Sequence, residues 1–155
     1  MFVRGCFALC GAWETTPTPE GLQRLILTSG VAYHTGWSPW TQAGLAALEA
    51  TLRPGMTVAT IGCGAGILAI AAGLLGASMV YALGVAPDAV AATRRQATAN
   101  GVARQLMVRH GPLPPGHVDV AIVSLSTAWA AQHRAEYDAT TLLVVHDDAT
   151  WGVVS

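Results

Sequence analysis

The chain has no lysine: all eight of its basic residues are arginine, and they form no run. With nine acidic residues the formal net charge is −1. The missing basic stripe excludes a nucleic-acid footprint. The lysine gap itself follows the Ala/Gly-rich composition and reports coding bias rather than function. Charged residues make up only 11% of the chain and hydrophobic ones 52%, which excludes disorder. No apolar run is long and unbroken enough to span a bilayer. The best candidate, Ile61 to Val85, breaks at glycines and reads as helix, turn and strand. Met1 to Ala12 has one arginine and no good cleavage site after its short apolar run, so it does not read as a signal peptide. Only three cysteines occur (Cys6, Cys10, Cys63), an odd set without metal spacing. They are expected to be reduced thiols of a cytoplasmic protein.

What is present centres on Val58-Ala59-Thr60-Ile61-Gly62-Cys63-Gly64-Ala65-Gly66-Ile67-Leu68-Ala69-Ile70. A β-rich run passes through three glycines, spaced G-x-G-x-G, into an Ala/Leu/Ile helix. Such a turn lets backbone press against a nucleotide-like ligand at a helix N-terminus.

The remaining elements alternate. Residues 1–36 read as irregular to β, with a short strand at Leu25–Thr28. Ser38-Pro39 supplies an N-cap and a first-turn proline for a helix over Trp40–Leu52. Strands are expected at Thr57–Ile61, Met79–Leu83, Leu106–Arg109, Val118–Leu125 and Thr141–His146. Helices are expected at Ile67–Leu75, Pro87–Asn100 and Ala128–Asp138. This pattern predicts a single α/β domain over 37–155, preceded by the 1–36 segment. Its doubly wound, Rossmann-like, mostly parallel sheet has about five strands.

Three stretches then carry a likeness. They are Ala32-Tyr33-His34-Thr35-Gly36-Trp37-Ser38-Pro39-Trp40-Thr41, Pro54 through Ala77, and Ala86-Pro87-Asp88 through Asn100-Gly101-Val102. In order and spacing the chain resembles a class I S-adenosylmethionine-dependent methyltransferase, and within that class the family that methylates a ribosomal protein of the large subunit. The resemblance implies S-adenosylmethionine as cofactor, set against Gly62, Cys63, Gly64, Gly66 and Val85, with Thr35 and Gly36 on the methionine side. It also implies an antiparallel strand pair after the fifth strand. The nine residues 147–155 are too few for that pair, so the chain reads as truncated.

The acids expected in this family are replaced. Thr60 stands in the first strand, Gly84 at the ribose-gripping position, and Gly111-Pro112 after the third strand. A carboxylate accepting from ribose hydroxyls contributes roughly 1.5–3 kcal/mol per bond. Ser124-Leu125-Ser126-Thr127 replaces an Asn-rich acceptor segment, and His34 replaces a glycine.

Candidate chemistry follows from these positions. His34 and Asp147 are the candidate bases, and each also reads as a solvated polar residue. Trp37 and Trp40, with Trp13 and Tyr33, form either an aromatic wall for a cationic or flat ligand or packing for the N-terminal segment. Ser124 and Ser126 face the acceptor or cap the next helix. Cys63 reads as a small buried residue, and Asp88 as a helix N-terminal charge. No metal site is expected.

Two functions are carried forward. One is an S-adenosylmethionine-binding enzyme acting on a small molecule, by methyl transfer or another reaction of the sulfonium. The other is a non-catalytic methyltransferase-like subunit that binds a protein partner through an exposed sheet edge. The fifth strand is expected to be that edge, pairing in a homodimer or heterodimer through Trp151–Val154. Neither reading invokes methylation of a ribosomal protein, because the acceptor segment is altered.

Overall fold

A computed structural model describes residues 1–28, 38–111, 116–124, 127–145 and 149–154. Strand β1 (Phe2–Arg4) turns back on β2 (Phe7–Gly11), and β3 (Gln23–Leu27) runs parallel to β2. Every residue of β2 is buried, so it shows no period-two alternation. Helix α1 (Pro39–Thr51) follows. Its start is the one expected: the Ser38 hydroxyl accepts the Thr41 N–H at 3.1 Å, and Pro39 sits where no N–H is needed.

The second sheet contains β4 (Thr57–Ile61), β5 (Met79–Gly84), β6 (Leu106–His110), β7 (Val118–Val123), β8 (Ala139–Val145) and β9 (Trp151–Val154). Their order is β6-β5-β4-β7-β8-β9. The first five are parallel, and they are joined by α2 (Ile67–Leu74), α3 (Pro87–Ala99) and α4 (Thr127–Gln132). The strand order reverses between β4 and β7, so the crevice at their carboxyl ends is the natural ligand position. The doubly wound, Rossmann-like α/β fold expected from the sequence is the fold of the chain.

Helices α1, α2 and α3 bury one face of this sheet. Leu45, Leu48, Ile70, Val90 and Ala97 pack with Val58, Val80 and Ile122. Phe7, Leu9 and Leu25 of the first sheet belong to the same cluster. The opposite face carries Ala59, Ile61, Leu142 and Val144 under Ala130 and Tyr137. Burying each large aliphatic side chain contributes about 1.5–3 kcal/mol.

Two expectations are corrected. The β8 edge is not bare, because β9 pairs with it antiparallel from Leu142↔Val154 to Val145↔Trp151. The tail expected to seek a partner thus folds back on its own sheet. The reversal passes through Ala149 at φ +61°, and Trp151 packs against the core. The β8 edge on which the expected pairing was based is thus covered by β9, which becomes the last strand of the sheet. The helix expected over Ala128–Asp138 instead stops at Gln132 and gives way to a 3₁₀ turn at Arg134–Glu136.

Candidate cofactor site at the glycine-rich turn

The turn between β4 and α2 is built from backbone. Gly62, Gly64 and Gly66 all have positive φ (76°, 51° and 82°), a region L side chains rarely enter. The Leu83 carbonyl at the end of β5 accepts both the Gly62 and the Cys63 N–H, at 3.0 and 2.9 Å. The Gly66 N–H closes on the Cys63 carbonyl at 2.7 Å. Gly66 is the N-cap of α2 and offers no side-chain acceptor to the first turn. That helix end therefore presents free backbone donors at the mouth of the crevice.

Thr93 of α3 supports the turn from behind. It is fully buried, and its hydroxyl reaches the Gly64 carbonyl at 3.3 Å. Cys63 Sγ lies 3.4 Å from the same hydroxyl oxygen. With the Thr93 proton committed to Gly64, the Cys63 thiol donates to Thr93. Burial pushes that thiol's pKa up. Cys63 is thus a protonated, tucked-in side chain, as read from the sequence, and not a thiolate nucleophile.

A cleft beside the turn is lined by Trp40, Thr41, Gly62, Cys63, Ala65, Ile67, Leu68 and Ser124. The structure therefore brings Trp40, Gly62, Cys63 and Ser124 together. Gly64 and Gly66 complete the turn. Val85 stands apart at the end of β5, largely exposed, with its carbonyl 3.2 Å from His110 Nε2. Trp13 does not join Trp40. It is 72% exposed and lays its indole over Gly11. Asp88 serves the start of α3, its carboxylate accepting the Ala89 N–H at 3.0 Å. His34, Thr35, Gly36, Trp37, Ser126 and Asp147 lie outside the described residues.

Sequence reasoning missed Thr41, Ala65, Ile67 and Leu68 of the cleft wall, and Thr93 behind it. The first four lie within or beside the quoted motif and could have been found by extending it. No local signal marks Thr93, which comes from another helix.

The altered acid positions have physical counterparts. Thr60 is 1% exposed, and among the described residues its hydroxyl has no hydrogen-bond partner. A Cβ on Gly84 would lie 3.0 Å from Val90 Cγ2, so Val90 fills the space beside Gly84. A second polar group lies at the other end of the sheet. His117 Nδ1 meets Asp138 Oδ1 and Nε2 meets Thr140 Oγ1, both at 2.9 Å. It is exposed, sits at the amino ends of β7 and β8, and lies away from the crevice. Among the described residues no group of three or more His, Cys, Asp or Glu could hold a metal ion.

The model of the ribosomal protein L11 methyltransferase (PrmA) family matches residues 3–125. The chain belongs to that family. A ribosomal protein L11 methyltransferase of Thermosynechococcus vestitus is 44% identical over 110 residues, covering 66% of this chain and 37% of its own length. The solved ribosomal protein L11 methylase of Lactobacillus delbrueckii subsp. bulgaricus shares the fold. Its TM-score is 0.77 at 24% identity, with 90% of this chain and 75% of that one covered. A methyltransferase of Thiobacillus denitrificans, solved with S-adenosyl-L-homocysteine, also shares it. There the TM-score is 0.60 at 23% identity, over 73% of this chain and 51% of that one. The chain spans about a third of the length of the curated relatives it matches.

Membership of this methyltransferase family agrees with the resemblance read from the sequence. It overturns the expected small-molecule acceptor, because the relatives are named for a ribosomal protein. The replaced acceptor segment misled that reading. Among the described residues no helix is long and apolar enough to cross a membrane.

Proposed function

We propose that this chain binds S-adenosylmethionine at the Gly62–Gly66 turn and serves methyl transfer to a ribosomal protein. One observation carries the reading. Three glycines at positive φ open α2 at the point where the strand order reverses, and a cleft runs beside them.

The bound cofactor supplies an electrophilic methyl group on a sulfonium. The chain's own work is orientation. The uncapped first turn of α2 and the Gly62–Gly66 backbone hold the ligand's polar edge. Val85 offers an exposed apolar surface to a flat base. Trp40 and Ser124 line the cleft beside the turn, where an aromatic face favours a cation and a hydroxyl orients an acceptor. Positions 60 and 84 carry no carboxylate, so backbone and shape supply more of the affinity here than charge does.

The test is calorimetry and thermal shift with S-adenosyl-L-homocysteine, then transfer of labelled methyl from S-adenosylmethionine to purified ribosomal protein L11. A ligand at a hundred times its Kd stabilises by about 2.7 kcal/mol. Gly64→Val, at φ +51°, is expected to abolish the shift. No heat and no shift at millimolar ligand would overturn cofactor binding. Binding without transfer would overturn the substrate.

A further inference from the structure

One face of α3 holds two distant parts of the chain. Thr93, Gln96, Ala97 and Asn100 follow helical i, i+3, i+4, i+7 spacing. Thr93 and Gln96 are 0% and 1% exposed. Thr93 bonds the glycine turn, as described. Gln96 Oε1 accepts the Thr28 N–H at 2.7 Å. Asn100 Oδ1 accepts the Ile26 N–H at 2.7 Å, and its Nδ2 donates to the Ile26 carbonyl at 2.9 Å. The Asn100 amide thus imitates a neighbouring strand along the free edge of β3. A second bond from Nδ2 to the Gln96 carbonyl, also 2.9 Å, locks this amide to the helix.

A buried amide is costly unless it is bonded, so Gln96 is placed for what it holds. We propose that this face of α3 is a positioning device for the cofactor site. Gln96 and Asn100 fix β3 to the helix, Thr93 fixes the glycine turn to the same helix, and the two attachments are energetically linked. Gln96 is then a positioning residue for a ligand it does not touch. By linkage, a ligand that orders the turn also tightens the hold on β3. The inference rests on the cofactor reading above for its ligand arm alone.

Gln96→Met keeps the side-chain length and removes the acceptor. It is expected to raise the Kd for S-adenosyl-L-homocysteine at least fivefold and to speed amide exchange at Thr28 at least tenfold. Gln96→Glu, which retains an acceptor at Oε1, is expected to recover most of both effects. A Gln96→Met protein that melts earlier but binds the ligand with the wild-type Kd would overturn the proposal. A second variant needs no ligand. Thr93→Val is expected to speed exchange at Ile26 and Thr28 while the Thr57 amide, held by Asp119 at the far end of β4, keeps its rate. Unchanged exchange at Ile26 and Thr28 would overturn the linkage. If the wild type gives no heat with the ligand while this exchange effect is present, the cofactor reading fails and the linkage stands.

Discussion

The side chain of Thr93 occupies the space that a Cβ on Gly66 would need. That atom would fall 2.6 Å from Thr93 Cγ2 and 2.7 Å from its hydroxyl oxygen. Gly66 also sits at φ +82°. Gly66→Ala therefore meets two penalties, the left-handed backbone and the overpacking, and is expected to cost about 2–4 kcal/mol in total. Urea unfolding of Gly66→Ala, Thr93→Ala and the double variant separates the two. The double variant should recover the share of the packing cost owed to Cγ2 and Oγ1, while the Cβ of residue 93, 2.9 Å from the added atom, and about 1–2 kcal/mol of backbone cost remain.

Restoring an acid at position 84 is expected to tighten the cofactor site. Gly84→Asp alone crowds Val90 Cγ2, so the pair Gly84→Asp with Val90→Ala is the cleaner experiment. One recovered charge-assisted bond of about 1.5 kcal/mol lowers the Kd for S-adenosyl-L-homocysteine roughly tenfold. Calorimetry on the two proteins checks it. An unchanged Kd would mean that residue 84 does not face the ribose.

Helix α3 begins without a side-chain cap. Ala86 already has extended backbone, φ −144° and ψ 151°, as an N-cap should. Ala86→Asp is expected to stabilise the protein by about 1 kcal/mol, by accepting first-turn N–H groups. A melting curve should shift upward. A downward shift would count against the cap geometry.

Acid lability is expected from Asp119. Its carboxylate accepts the Thr57 N–H at 2.7 Å and the Thr57 hydroxyl at 2.9 Å, and these bonds hold its pKa below the usual carboxylate value. Its stabilising contribution is fully present above the unfolded pKa of about 3.9 and is lost as pH falls through the lower folded value. Urea midpoints measured down through that window should fall more steeply for the wild type than for Asp119→Asn. Equal slopes would remove Asp119 from the account.

Much of the scaffold is legible because its signals are local. The Ser38-Pro39 start of α1, the Pro87 start of α3 and the glycine turn each need only a few neighbouring residues to be read. The small first sheet was not resolved as three strands, since Phe7–Gly11 is buried throughout and shows no alternation. Strand β9 was read as a sticky tail because the sequence does not say which edge such a tail will meet. At the site, Gly62, Cys63, Trp40 and Ser124 were legible as members of a motif or its flanks. Thr93 was not, because its contacts to Cys63 and Gly64 span 30 and 29 residues and exist only once α3 is docked. The substrate class was not legible because the acceptor-facing segment Ser124-Leu125-Ser126-Thr127 is replaced.

Helix α2 has consequences for how the molecule can be assembled. Seven of its eight residues are buried, and none carries a charge. No side of Ile67–Leu74 can be left to water, so the helix has no stable existence before α1, α3, β4 and β5 enclose it. Any partly folded form, or any fragment lacking one of those neighbours, displays a wholly apolar cylinder and is prone to aggregate. Cofactor-site variants that loosen the neighbours of α2 will lower soluble yield before they alter binding.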